Sequence, residues 1–127
     1  MDRSAIRRWI PAVGFALLLL VTSLVPLPES NSVSVPTLLG VSLDKWVHAA
    51  GYGILTGLLA WGWQTRDAAG VTAVVLVAIG YGAGIELLQG FVPSRGTSGA
   101  DVLANAVGAV LAGAALLGSL KAKLSLR

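Results

Sequence analysis

Nine polar residues interrupt the long apolar runs of this chain at spacings that could support chemistry: Asp44, Lys45, His48, Tyr52, Glu86, Gln89, Arg95, Asp101 and Asn105. An ionisable group at bilayer depth costs about 2.5–3.5 kcal/mol on insertion scales, so several kept together mark a site. An imidazole changes charge near neutral pH, and beside Glu86 or Asp44 the His48 ring could act as a general acid/base in hydrolysis or group transfer. His48 and Glu86 are therefore the candidate catalytic pair. Arg95 could hold a phosphate or carboxylate bidentately, while Tyr52, Gln89 and Asn105 could orient a polar headgroup. With Asp44, Lys45 and Asp101 they form the candidate ligand-binding set. Ser94 and Ser98 lie in a loop without a nucleophile pattern of their own. Asp44, Glu86 and Asp101 could offer oxygens to a divalent cation, but three acids from separate segments are a weak metal signal. One His and no Cys speak further against zinc, and the expectation is no metal and no cofactor.

These residues need elements to position them. Of 127 residues, 55% are hydrophobic and 12% charged, too apolar and charge-poor for a soluble domain of this size. The absence of cysteine excludes disulfides and a thiol nucleophile, and the net charge of +3 sits in ends and loops, as befits membrane topology rather than nucleic-acid binding. A hydrocarbon core needs roughly 20 helical residues. Apolar stretches of about that length run over 9–26, 46–63, 69–89 and 101–120. Breaker-rich segments separate them: Pro26 to Ser32, Gln64 to Asp67 and Gly90 to Gly99. The expected fold is all-α, one membrane domain over 1–127 built as a four-transmembrane-helix bundle. Residues 33–40 are too few to span, and the conformation of residues 31–42 stays open between an interfacial and a partly re-entrant segment.

Arg3, Arg7 and Arg8 precede the first apolar stretch, as in a signal peptide, but no small-x-small cleavage pattern follows, and a retained first helix is expected. With the N-terminus inside, Arg3, Arg7, Arg8, Arg66, Lys121, Lys123 and Arg127 are all cytoplasmic and only Lys45 and Arg95 lie outside. Both termini are then cytoplasmic. Asp44, His48 and Tyr52 stand at i, i+4 and i+8 on one stripe of the second helix, and Asp101 and Asn105 repeat the i, i+4 relation where the fourth begins. Glu86 and Gln89 close the third. All reach one depth, within about 10 Å of the outer surface at 1.5 Å rise per residue. The small-xxx-small pairs Gly53/Gly57 and Gly80/Gly84, with Ala104, Gly108 and Ala112, would let the helices close up, within one chain or between chains of an oligomer.

The ordered set Asp44-Lys45-x-x-His48-x-x-x-Tyr52, Glu86-x-x-Gln89, Arg95 and Asp101-x-x-x-Asn105-x-x-Gly108 resembles the VanZ-like family of small bacterial integral membrane proteins. The resemblance covers about residues 40–115. It departs at Gly96-Thr97-Ser98-Gly99, where relatives are expected to carry a bulkier or aromatic residue. The family is named for a member associated with low-level resistance to the glycopeptide teicoplanin. The resemblance thus implies a multi-pass protein of the bacterial plasma membrane working in the cell envelope.

Each residue also has a structural explanation. Asp44 and Asp101 could cap helix N-termini, Lys45 could snorkel to the headgroups, and Glu86 could pair with His48 or Arg95 as a clasp between helices. Of three functional classes, the first is a non-catalytic factor whose outward pocket binds a cell-envelope lipid headgroup, a precursor or a glycopeptide-like ligand. The second is a small membrane enzyme modifying such a lipid-linked substrate through His48 and Glu86. A transporter or assembly subunit ranks third, because the inner halves of the helices are apolar. Membrane lipids are the expected partners.

Overall fold

A computed structural model of the chain describes residues 2–26 and 34–126. Most of the expected breaker run after the first helix falls on residues 27–33, outside the described residues, as does the start of the 31–42 segment. The described chain is all-α apart from one minimal hairpin: α1 (Arg3–Leu24), β1 (Thr37–Leu38), β2 (Val41–Ser42), α2 (Leu43–Trp63), α3 (Ala68–Gln89) and α4 (Gly99–Ser125). α1, α3 and α4 are each long and apolar enough to cross a membrane. α2, at 21 residues, is nearly as long but is not among them.

The helices follow the expected apolar stretches and overrun them at the basic ends. α1 starts at Arg3 and α4 continues to Ser125, because Arg and Lys propagate a helix readily and their side chains need no apolar surroundings. Pro36 to Ser42 resolve the open segment into a two-residue hairpin, with Thr37 opposite Ser42 and Leu38 opposite Val41. Its turn places Leu39 at φ 53° and Gly40 at φ 76°, the left-handed pair of a type I′ turn. The Pro36 carbonyl accepts from the Leu43 N–H (2.8 Å), and the Trp46 indole donates to the Leu38 carbonyl (3.1 Å), tying the hairpin to the first turn of α2.

α2 is the common partner of the other helices and packs most extensively on α4, while α1 lies on α2 and α3. The core is thin: Tyr52, Leu55, Ala78 and Ala109 form its centre, with Phe15, Leu19 and Val75 around it. The α2–α4 crossing is the tightest approach. A Cβ on Gly108 would overlap the Ala49 carbonyl oxygen and lie 2.6 Å from its carbon, and one on Gly53 would stand 3.3 Å from the Gly108 oxygen. Among the expected small-residue pairs, Gly53 and Gly108 pack as anticipated, but Gly57, Gly80 and Gly84 meet nothing within 4 Å. On α3 the packing glycine is Gly82, between the latter two, where an added Cβ would strike the Tyr52 ring at 2.8 Å.

Candidate functional site

The site begins with the starts of two helices. Ser42 and Ser98, not the aspartates, hold the N-cap positions of α2 and α4, and the Ser98 hydroxyl accepts from the Asp101 N–H (3.2 Å). This departs from the capping reading of Asp44 and Asp101. Both carboxylates lie in first turns, free to face across the α2–α4 crossing, where Lys45 donates to each of them. Lys45 is thus held between two acids at 24% side-chain exposure instead of reaching away to headgroups.

One turn further along α2, His48 Nδ1 lies 2.9 Å from Asn105 Oδ1. A carboxamide oxygen only accepts, so Nδ1 carries the hydrogen and Nε2 of the neutral ring keeps its lone pair. Nε2 faces Asp101 Oδ2 at 3.7 Å, too long for a direct hydrogen bond. From α3, Glu86 reaches the same place, and one ligand atom from each of His48, Glu86 and Asp101 lies within 4.8 Å of the others. Glu86 is 2% exposed. Its Oε2 accepts from the Ser98 N–H (3.1 Å), while Oε1 is buried without a hydrogen-bond partner among the described residues. A carboxylate so placed costs several kcal/mol of desolvation unless something compensates it.

Tyr52 and Asn105 form the floor. Both are buried, and they close over Gly82 of α3, where an added Cβ would stand 3.0 Å from the Asn105 amide nitrogen. Seven of the nine expected residues therefore gather at one end of the bundle: Asp44, Lys45, His48, Tyr52, Glu86, Asp101 and Asn105.

Arg95 and Gln89 go elsewhere. The Arg95 guanidinium donates to the Val25 carbonyl through Nε (2.9 Å) and to the Thr22 carbonyl through Nη2 (3.3 Å), and the Gln89 amide donates to the Ser23 carbonyl (2.9 Å). The last carbonyls of a helix lack intrahelical donors, and these two side chains serve α1 in that capacity. Glu86 accordingly has Ser98, not Arg95, as its hydrogen-bonding partner. Ser98 is the participant that motif reasoning passed over. Its signal was present as the capping pattern Ser98-Gly99-Ala100-Asp101.

A cleft of about 680 Å³ opens at the far end of the bundle, between the C-terminal turns of α2 and α4, with Trp61, Arg66, Ser119 and Lys123 in its walls. The polar cluster itself is packed, with His48 and Asp101 half-buried at its mouth.

Long apolar helices that enclose a buried acid–imidazole–carboxamide cluster at one end define a membrane-type helical bundle with a built polar site. A family model described as VanZ/LLP1 matches residues 5–120, and the chain belongs to the VanZ/LLP1 family. No curated protein and no solved structure matches the chain.

Proposed function

We propose that the protein is a four-span plasma-membrane protein of bacteria, with both termini cytoplasmic, that binds the polar headgroup of a cell-envelope lipid or precursor, or a glycopeptide-like ligand, at its outer polar cluster. The observation that carries this reading is the convergence of His48, Glu86 and Asp101 from three helices, with Glu86 Oε1 left without a partner. Groups kept only to clasp helices would satisfy one another; a partnerless buried oxygen is what a binding site presents before its ligand arrives. Seven basic residues at one side of the membrane against Lys45 and Arg95 at the other support the orientation. α2 then crosses as the central helix, its polar turns shielded by α3 and α4.

The ligand chemistry follows from charge. Asp44 and Asp101 face one ammonium, Lys45, Glu86 adds a third acid to the cluster, and the Arg95 guanidinium is committed to α1. Such a cluster favours groups that donate hydrogen bonds or carry positive charge, such as amines and sugar hydroxyls, over a bare phosphate.

The second reading is an enzyme in which His48 and Glu86 move protons on a lipid-linked substrate. It draws on the Glu86 carboxylate, one oxygen of which lies within 4.8 Å of a nitrogen of the imidazole that Asn105 orients. Mass spectrometry of lipids and peptidoglycan precursors from cells with and without the protein separates the two. A co-purifying unmodified lipid that His48→Ala and Glu86→Ala release indicates binding, and a new product that both variants abolish indicates catalysis. Inserted, folded variants that change neither ligand retention nor lipid composition would leave only a structural clasp. Because the chain has no cysteine, single Cys substitutions at Ser98 and Thr65 test the orientation with an impermeant thiol reagent. Labelling of Ser98→Cys alone in intact cells is expected; labelling of Thr65→Cys alone would invert the topology.

A further inference from the structure

We propose that His48 Nε2, a Glu86 carboxylate oxygen and Asp101 Oδ2 form a binding site for one divalent first-row transition-metal ion. Four observations converge on it. One ligand atom from each of the three residues lies within 4.8 Å of the other two, on three different helices. Two ligands about 2.1 Å from a shared tetrahedral ion stand about 3.4 Å apart. His48 Nε2 and Asp101 Oδ2 are separated by 3.7 Å, beyond a hydrogen bond and close to that span. A Glu86 oxygen, within 4.8 Å of the other two ligand atoms, completes the set by an approach of at most about 1.4 Å.

The imidazole is prepared for this role. Its Nδ1–H is taken by Asn105 Oδ1 at 2.9 Å, which leaves the Nε2 lone pair facing Asp101 Oδ2. Metal-bound histidines almost always donate their other N–H to such a partner, which fixes both tautomer and ring orientation. Asp101 divides its oxygens in the same way: Oδ1 takes the Lys45 ammonium and Oδ2 remains for the ion. Glu86 gives Oε2 to the Ser98 N–H and keeps Oε1, buried and without a hydrogen-bond partner among the described residues.

Charge points the same way. With a neutral imidazole, three carboxylates against one ammonium leave the cluster at a formal charge of −2, which one divalent ion cancels. Nitrogen from one His with oxygen from two carboxylates suits Mn²⁺, Fe²⁺ or Zn²⁺, whereas Ca²⁺ and Mg²⁺ take oxygen shells. The expectation of no metal rested on Asp44, Glu86 and Asp101 as three acids from separate segments and, against zinc, on one His and no Cys. The structure brings together a different trio, with His48 in place of Asp44.

Three protein ligands leave coordination positions open at the half-buried mouth of the cluster, so the bound ion would present a Lewis acid to a hydroxyl oxygen of an incoming headgroup. This part builds on the headgroup reading. Metal binding itself does not, because it is measured with no lipid ligand added, and either can fail alone.

The test uses the untagged full-length protein in lipid nanodiscs, stripped with EDTA and titrated with Mn²⁺ and Zn²⁺. One equivalent per chain is expected, unchanged in Asp67→Asn at the opposite end of α3, with affinity at least tenfold weaker in His48→Gln, Glu86→Gln and Asp101→Asn. The chain has a single histidine, so ¹⁴N modulation in the electron spin-echo of bound Mn²⁺ assigns His48 directly and requires no variant. No stoichiometric uptake, bound Mn²⁺ without imidazole ¹⁴N coupling, or uptake by folded His48→Gln equal to the parent's would overturn the site.

Discussion

Replacing Gly108 with alanine probes the one place where two helix backbones set the geometry of the cluster. The added methyl would sit 2.6 Å from the Ala49 carbonyl carbon and 2.7 Å from its Cα, whereas carbon atoms settle at about 3.5–4.0 Å. Relief requires α2 and α4 to separate by about 1 Å at their crossing, because the struck atoms are backbone and no rotamer can move them. Overpacking costs typically about 1–3 kcal/mol, with the upper end apt for a backbone collision. The gain in helix propensity from Gly to Ala returns at most about 1 kcal/mol. A net loss of about 2 kcal/mol, roughly a 30-fold change in the folding equilibrium, is therefore expected from reversible unfolding in mixed micelles. Gly80→Ala is the matched control, since a Cβ there meets nothing within 4 Å; it should be neutral or slightly stabilising. The crossing lies one turn from Asn105 and His48, so Gly108→Ala should also weaken metal uptake, and Gly80→Ala should not. Equal stability of the two variants would refute the tight α2–α4 contact and with it the placement of the cluster.

In metal-free protein, Glu86→Gln should raise stability by about 1–3 kcal/mol, because a neutral amide replaces a buried charge with a partnerless oxygen; loss of stability in chelator would mean the carboxylate is already compensated. Gln89→Ala removes the bond to the Ser23 carbonyl and should cost about 1 kcal/mol, seen as faster hydrogen exchange at the C-terminal end of α1 while metal uptake stays unchanged. Asn105→Ala should lower metal affinity by about 10–100-fold while ¹⁴N coupling persists, the signature of a positioning residue; loss of coupling with affinity intact would contradict that role.

The helices were legible because apolar run length is a direct physical requirement for crossing a bilayer, and the common depth of the polar residues followed from counting turns. What misled was direction around the helix. α3 is apolar on nearly every side, so nothing in its composition tells that Gly82, not Gly80 or Gly84, turns inward. Arg95 and Gln89 fit a ligand set by residue type, but their partners are backbone carbonyls of Thr22, Ser23 and Val25, and a carbonyl is present at every position of every sequence. Lys45 presented the same difficulty: a lysine near a helix start reads as a snorkelling residue until Asp101, 56 positions away, is known to face it. The hairpin at Leu39-Gly40 was hidden by its brevity, since two-residue strands carry no period.

The order of the helices along the chain bears on how the protein is made. α2 emerges from the ribosome with Asp44, Lys45 and His48 on one face, and the residues that answer Lys45 and His48, Asp101 and Asn105, belong to α4, which is synthesised after α3. Until α4 arrives, the Lys45 and His48 side chains of α2 lack their partners Asp101 and Asn105. The cluster is thus assembled late: its pairs between α2 and α4 form only once α4 has been delivered.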